Sequence, residues 1–406
     1  MDKYDLAIIG AGASGLAAAI NASRLHPGIS IALAEHLPRA GKKILATGNG
    51  RCNMTNLNAL SHPYRNFDFA SFALNKYSPQ KVIDFFASLG LYTYTDSEGR
   101  VYPRSNNASS VLDSLRFSLG DNIRLISDIN ISKACFKSGS FILNDSIVSD
   151  KLIIACGGKS SPVHGSDGSG YPLAKSFGHS IIPLLPSLTP LNINQSENKS
   201  LKGVRASSVS LKLICGKNEY NSCGEILFTQ TGISGIAAME LAAAAGREIS
   251  SGNRPYLSID YLPEYSENEL RTIITDIIGH RGGNPTESLL SGLLPKLIGV
   301  SVLKKAGITS ENIKSDNISD TADKITREIK NSRYEITGTK GFADSQVTSG
   351  GIDTGEIDPE TMQSKICKGL YFSGEIIDVD GGCGGFNLQW AFASGLLAGE
   401  LNDQNQ

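Results

Sequence analysis

The chain has seven cysteines, at 52, 135, 156, 215, 223, 367 and 383, and no two of them form a C-x-x-C pair. An odd, scattered set of this kind builds neither a disulfide framework nor a zinc site. The six histidines (26, 36, 62, 164, 179 and 280) lack metal-ligand spacing with one another, with cysteine or with carboxylates, so no metal site is expected. There is no basic surplus: 38 Lys and Arg against 40 Asp and Glu give a net charge of −2. That balance argues against a nucleic-acid partner and against an anionic membrane surface. No apolar run is long enough to span a bilayer, since the most apolar expected helix, Ile236 to Ala245, is short and carries Glu240. No basic segment followed by a cleavable apolar stretch opens the chain, which makes the cytoplasm the expected location. Ser-His-Asp and paired-carboxylate arrangements are also missing, and no catalytic residue is assigned. His164 and Tyr171, flanking Gly165–Gly170, are read as solvated loop residues sooner than as general acids.

What the chain has in excess is glycine, 43 residues, concentrated in two distant segments. The first runs Asp5-Leu-Ala-Ile-Ile-Gly10-Ala-Gly12-Ala-Ser-Gly15, an apolar strand entering G-x-G-x-x-G. The alanine-rich stretch Ala13 to Leu25 reads as a helix and Ser30 to Glu35 as a second strand, which completes a βαβ nucleotide-binding unit. Glu35 closes the second strand about 20 residues after the last glycine, where a carboxylate meets ribose hydroxyls and repels a 2′-phosphate. The second segment is Gly369-Leu-Tyr-Phe-Ser-Gly374-Glu375, continuing through Asp378 to Gly381-Gly-Cys-Gly-Gly385-Phe-Asn387-Leu388. Each places glycines between a strand and a helix, where backbone N–H groups meet phosphate or an anionic ring. A nicotinamide enzyme needs only the first segment, whereas a protein that holds FAD along its length needs both.

The expected contacts follow from that division. Gly10, Gly12, Ala13, Ser14 and Gly15 approach the pyrophosphate and Glu35 the adenosine ribose. Gly374, Glu375 and Asp378 serve the central phosphate and ribityl region, and Gly385, Asn387 and Leu388 the isoalloxazine. The helix from Asn387 to Leu397 aims its N-terminus at the flavin N1–C2=O edge, which carries negative charge when reduced. The polar loop Gly41 to Asn56 contributes Lys43, Thr47, Asn49, Gly50, Arg51 and Cys52. Cys52 stands alone there, which disfavours disulfide reduction, and it reads as a packed residue. Lys151 to Gly158 reads as a buried third strand whose end brings in Ala155 and Gly157. No second strand–G-x-G-x-x-G–helix exists to house a nicotinamide domain, so NADH or NADPH is expected only as a transient donor over the flavin.

Elsewhere, Phe141 to Ile147 and Ile123 to Ile131 read as strands and Leu289 to Lys304 as a helix. Prolines at 183, 186 and 190 mark a boundary, followed by short alternating strands and then a helical stretch. The expected architecture is α/β, with a FAD-binding domain at 1–190 and 341–406. A substrate domain at 191–265 and 330–340 is inserted into it, with a small helical subdomain at 266–329.

Several stretches in combination resemble the bacterial flavoproteins called aminoacetone-oxidase-like, a family that also includes enzymes reducing double bonds of oxo-bile acids. They are Ala46-Thr-Gly-Asn-Gly-Arg-Cys-Asn-Met-Thr-Asn56, Gly165-Ser-Asp-Gly-Ser-Gly through His179, Leu185 to Leu191, Gly224 to Gly235, Val347 to Asp353 and 369–395. The family's Thr-His-Thr-Gly is here Thr229-Gln-Thr-Gly232, and its usual Tyr before Asn387 is Phe386. The resemblance implies a split Rossmann-type domain of the two-dinucleotide-binding kind, with the insert a flattened β-barrel. The family covers both oxidases and reductases; the leading expectation for this chain is hydride transfer at flavin N5 by an NAD(P)H-linked reductase of C=C bonds in small carbonyl-containing substrates. An O2-using amine oxidase is the alternative, and a non-catalytic flavin or nucleotide sensor the second alternative.

Overall fold

The computed structural model describes residues 1–194, 199–281, 286–309 and 317–403. The chain divides into two compact units, Met1–Leu185 with Gln346–Gln406, and Pro186–Ser345. The divisions thus fall at 185/186 and 345/346, where the sequence reading put them at 190/191 and 340/341.

In the first unit, β1 (Asp2–Ile9), α1 (Ala13–Leu25) and β2 (Ile31–Ala34) form the expected βαβ unit. Leu6, Ala7 and Ile8 in β1 and all four residues of β2 are buried, the continuous apolar run of a strand covered on both faces. Four further strands join them: β3 (Ile123–Ile126), β4 (Ala134–Lys137), β5 (Ser140–Leu143) and β6 (Ile147–Ile154). The order is β3-β2-β1-β6-β5-β4, and the strand Leu370–Phe372 also pairs with β6, giving seven strands. β1, β2, β3, β6 and Leu370–Phe372 run parallel, with Ile9 opposite both Ala34 and Ile154, and Phe372 opposite Ile154. Their carboxyl ends are therefore level, and the turns that follow them meet along one edge.

Two strands are shorter than the sequence reading. β5 stops at Leu143 because Asn144 and Asp145 adopt left-handed conformations and turn the chain into β6, so Phe141 to Ile147 is a hairpin and not one strand. β3 ends at Ile126, two residues before the left-handed Asp128. The C-terminal helix, Phe386–Ala398, is buried almost all round and lies against α1. Gly395 and Gly399 allow the approach: a methyl on Gly399 would stand 2.5 Å from the Ala18 carbonyl oxygen, and one on Gly395 would meet that of Ser14.

The second unit contains a closed six-stranded antiparallel barrel. Its order is Leu191–Ile193, Gly232–Ser234, Asn218–Phe228, Arg205–Cys215, Tyr256–Asp260 and Ser332–Thr339, which returns to the first. Val209, Leu211 and Leu213 alternate inward with period two. The described residues of 266–329 belong to the same unit as the barrel. Leu270, Ile274, Ile298, Val302 and Ile325 share one apolar core with Ile259, Tyr334 and Ile336 of the barrel. Within it the helix is Lys296–Lys305, not Leu289 to Lys304, because Pro295 offers no N–H and occupies the N-cap. The stretch Ile236 to Ala245 is likewise two helices, Ile236–Glu240 and Ala242–Ser250, broken at Leu241.

Candidate cofactor site

The turn after β1 is held by backbone. Gly10 N–H donates to Ala34 O (2.8 Å), Ala155 N–H to Ile9 O (2.8 Å), and Ala11 N–H to Glu35 Oε2 (2.9 Å). Gly10 has φ +102, and a methyl there would meet the Ala155 carbonyl oxygen at 2.5 Å. A methyl on Gly15 would strike the Gly10 carbonyl. Gly12 differs: its φ is −82, and a methyl would find nothing within 4 Å. The protein's own packing does not require glycine at 12, so the open space beside it is what a ligand would use. α1 begins there without a side-chain cap or an acidic residue in its first turn, leaving orphan N–H groups of Ala13, Ser14 and Gly15 and the positive end of the helix dipole.

Glu35 is 7% exposed and already engaged, since Oε1 accepts from Leu37 N–H (2.9 Å) and lies 3.3 Å from His36 Nδ1. It ties the glycine turn to the end of β2.

The two distant glycine segments meet. Ser14 Oγ donates to Ser373 O (3.4 Å), and a methyl on Gly374, which has φ +78, would stand 2.6 Å from that hydroxyl. Gly374 N–H donates to Ser394 Oγ (2.9 Å) and its carbonyl accepts from Trp390 Nε1 (3.1 Å). The Gly374 amide is therefore taken up by the C-terminal helix, not presented to a phosphate. Lys43 Nζ pairs with Glu375 Oε2 at 2.8 Å, while Glu375 Oε1 accepts from Thr348 N–H at 2.7 Å. Asp378 accepts both arms of Arg65 (2.6 and 3.0 Å) and Asn66 Nδ2 (3.1 Å), and this pairing occupies its carboxylate. Gly157, with φ +72 at the end of β6, stands a methyl's contact from Ser166 Oγ.

The loop after β2 contains a short helix, Lys42–Ala46, followed by left-handed Gly48, Asn49, Gly50 and Cys52. Thr47 Oγ1 donates to Ile44 O (2.7 Å), and the Arg51 guanidinium lies 4.7 Å from the centre of the Tyr102 ring. Cys52 is fully buried, and burial pushes its thiol up to about 12, so it has no nucleophilic character. Cys156 is pushed to about 12 in the same way. The loop also carries Asn53, whose carboxamide is buried with no hydrogen-bond partner for Oδ1, packed against Gly385.

Gly384 (φ +129) and Gly385 (φ +96) lead into the C-terminal helix, which has no side-chain cap and no acidic residue in its first turn. Phe386, Asn387 and Leu388 thus present orphan N–H groups. The Asn387 side chain is spent on the loop itself: Oδ1 accepts from Gly381 N–H and Nδ2 donates to Gly381 O and Gly382 O, at 2.9 to 3.0 Å. His62 completes the loop. Its Nε2 accepts from Gly382 N–H (2.8 Å), and its ring stacks on Phe386 at 3.6 Å and 5°. Burial lowers its pKa to about 4, so the imidazole is neutral at neutral pH.

Asn53, His62 and Arg65 also lie at the candidate site, and no local sequence pattern marks a role for them, although Asn53 falls within the stretch Ala46 to Asn56. Tyr171, read as a solvated loop residue, is instead 4% exposed on the helix Gly170–Ser176, and its OH has no partner among the described residues. Burial, together with Glu375 and Asp378, raises its pKa, which keeps the phenol protonated. The open face of Gly12, the uncapped starts of two helices and the unpaired Asn53 carboxamide fit a dinucleotide ending in a planar ring. Among the described residues no His, Cys, Asp or Glu group could hold a metal, and no helix is long and apolar enough to cross a membrane.

The family model described as HI0933-like protein Rossmann domain matches residues 4–401. The chain is 34% identical over 400 residues to the 3-dehydro-bile acid delta(4,6)-reductase of Clostridium scindens, covering 97% of this chain and 98% of the relative. It is 32% identical over 409 residues to the ribosomal RNA dihydrouridine synthase of Escherichia coli, covering 97% and 96%. The second name sets an RNA-modifying relative against the expectation of no nucleic-acid partner. Among solved structures, the 3-ketosteroid delta1-dehydrogenase from Sterolibacterium denitrificans has a TM-score of 0.49 at 14% identity, with 98% of this chain and 99% of that one covered.

Proposed function

The chain belongs to the HI0933-like Rossmann family of flavoprotein oxidoreductases, and from that premise we propose that it binds FAD and reduces C=C bonds conjugated to a carbonyl in small molecules. The observation that carries the FAD reading is the meeting of Ser14 with Ser373 and Gly374, which joins the two glycine segments beside the open face of Gly12. The amides of Ala13, Ser14 and Gly15 would take the pyrophosphate, and Glu35 the adenosine ribose. Lys43, Thr47, Asn49, Gly50 and Arg51 would line one side of the site, with the first-turn amides of Phe386, Asn387 and Leu388 at the far end. FAD, when bound, supplies hydride transfer at N5. The helix start at Gly385 would favour negative charge on a group bound beside it, by about 0.3–2 kcal/mol. Neutral His62 holds Gly382, and so the glycine loop, in place.

The direction of reaction is supported by what the relatives are called. Both the bile-acid reductase and the dihydrouridine synthase are named for saturating a C=C bond beside a carbonyl. The net charge of −2 favours the small substrate, since RNA contacts draw on a surplus of Lys and Arg. An rRNA uracil is the second reading, favoured by the named relatives. Reductant is taken to be NADH or NADPH, bound transiently.

The test is an anaerobic absorbance experiment on FAD-loaded protein. Bleaching of the flavin band by NADH or NADPH, then recovery on adding a 3-oxo-Δ4-steroid acid, supports the reductase. Recovery only with a uridine-containing RNA supports the second reading. No bleaching by either nucleotide, with rapid recovery in air after chemical reduction, favours an oxidase. A protein that exchanges no electrons with any of these is a sensor.

A further inference from the structure

Asn53 presents a buried carboxamide oxygen that no described residue hydrogen-bonds. The residue is 7% exposed, and its Oδ1 is fully buried with no hydrogen-bond partner among the described residues. A buried amide left unpaired is destabilising, and such groups normally have partners. The surrounding residues are all committed elsewhere. Cys52 N–H donates to Thr47 O, Met54 N–H to Val101 O, Thr55 Oγ1 to Gln389 Oε1 (2.6 Å), and Asn56 Nδ2 to Gly384 O (3.0 Å). Asn53 is thus flanked by residues bonded elsewhere while its own Oδ1 is left over.

Its position says what the group is for. Oδ1 would lie 2.6 Å from a methyl on Gly385, the residue that opens the C-terminal helix, so the carboxamide sits at the uncapped start of a 13-residue helix. A phosphate at such a place would recruit donors only. A carboxamide offers an acceptor and donors in one plane, the complement of a planar edge that carries N–H between two C=O groups. The flavin ring has that edge, C2=O, N3–H and C4=O.

We propose that the Asn53 carboxamide binds this imide edge of the flavin, an assignment that rests on the FAD reading above. It makes Asn53 a cofactor-orienting residue that acts beside the helix start. The helix amides would favour negative charge on the ring, and Asn53 would fix which way the ring is turned.

The experiment measures dissociation constants of FAD and 3-methyl-FAD, which lacks the N3–H, for the full-length chain and for its Asn53→Leu and Asn53→Asp variants. The unmodified chain is expected to prefer FAD by about tenfold or more, and Asn53→Leu to lose that preference. Asn53→Asp retains an acceptor and so retains the preference, while its added charge moves the flavin midpoint potential to more negative values. This arm stands even if Asn53→Leu does not fold. An undiminished preference in Asn53→Leu, or an unmoved potential in Asn53→Asp, overturns the assignment and leaves FAD binding intact. A chain that binds neither flavin overturns the FAD reading instead.

Discussion

Gly374 faces Ser14 so closely that a single methyl on it would stand 2.6 Å from the Ser14 hydroxyl, although the two residues come from opposite ends of the chain. This contact closes the nucleotide unit over the helix start at Gly12. Gly374→Ala combines that overlap with a φ of +78, which an L side chain rarely adopts. It is expected to lower stability by about 2–4 kcal/mol, read from denaturant unfolding with and without FAD.

Gly12→Ala separates ligand from fold. Nothing lies within 4 Å of the added methyl and the backbone is in an ordinary region, so unfolding stability should stay within about 0.5 kcal/mol of the parent. FAD affinity, measured by fluorescence quenching, should fall by about tenfold or more because the methyl would enter the space proposed for the pyrophosphate. Parallel losses of stability and affinity would mean that Gly12 serves packing.

Arg65 and Asp378 form a two-armed pair in which the carboxylate is buried. Arg65→Ala strands that charge, with Asn66 as its remaining side-chain partner among the described residues, and should destabilise the protein by about 3–5 kcal/mol. Arg65→Lys should recover part of this, since an ammonium cannot make the planar two-armed contact. Thermal melts of the two variants at neutral pH provide the check.

His62 gives the protein an acid sensitivity. Its pKa falls from the usual 6.5 to about 4 in the folded chain, so between those values the unfolded chain binds more protons. Stability from this residue is therefore full above about 6.5 and declines as the pH drops towards 4. Protonation would also replace the acceptor at Nε2 and break its bond from Gly382 N–H. Melting temperatures over this range should fall less steeply in His62→Gln than in the parent.

Thiol labelling follows burial. Cys223 is exposed, whereas Cys52 and Cys156 are driven to about 12. Iodoacetamide at mildly alkaline pH should modify Cys223 and spare both others in the native chain, as read by peptide mass spectrometry, and Cys52→Ala should keep its activity.

The βαβ unit was legible because β1 is a continuous apolar run ending in glycines whose spacing has a steric cause, visible at Gly10 and Gly15. Glu35 was legible by position, but not the fact that Ala11 and Leu37 amides already hold it. The pairs Lys43–Glu375, Arg65–Asp378 and His62–Phe386 join residues hundreds of positions apart, and no local pattern in a single chain encodes such partners. Where local signals did exist, apolar periodicity overrode them. Leu289 to Lys304 was read through Pro295, and Phe141 to Ile147 through the left-handed pair Asn144 and Asp145. The unpaired carboxamide of Asn53 lies outside what a pattern can carry, because being unpaired is a property of packing.

The most direct measurement is to saturate purified protein with FAD, remove the excess, and quantify the flavin released on denaturation for the parent chain and Gly12→Ala. Equimolar FAD in the parent and a marked loss in a fully folded Gly12→Ala are the expected results. A folded parent that retains no flavin, or a Gly12→Ala variant that retains as much as the parent, would contradict the account.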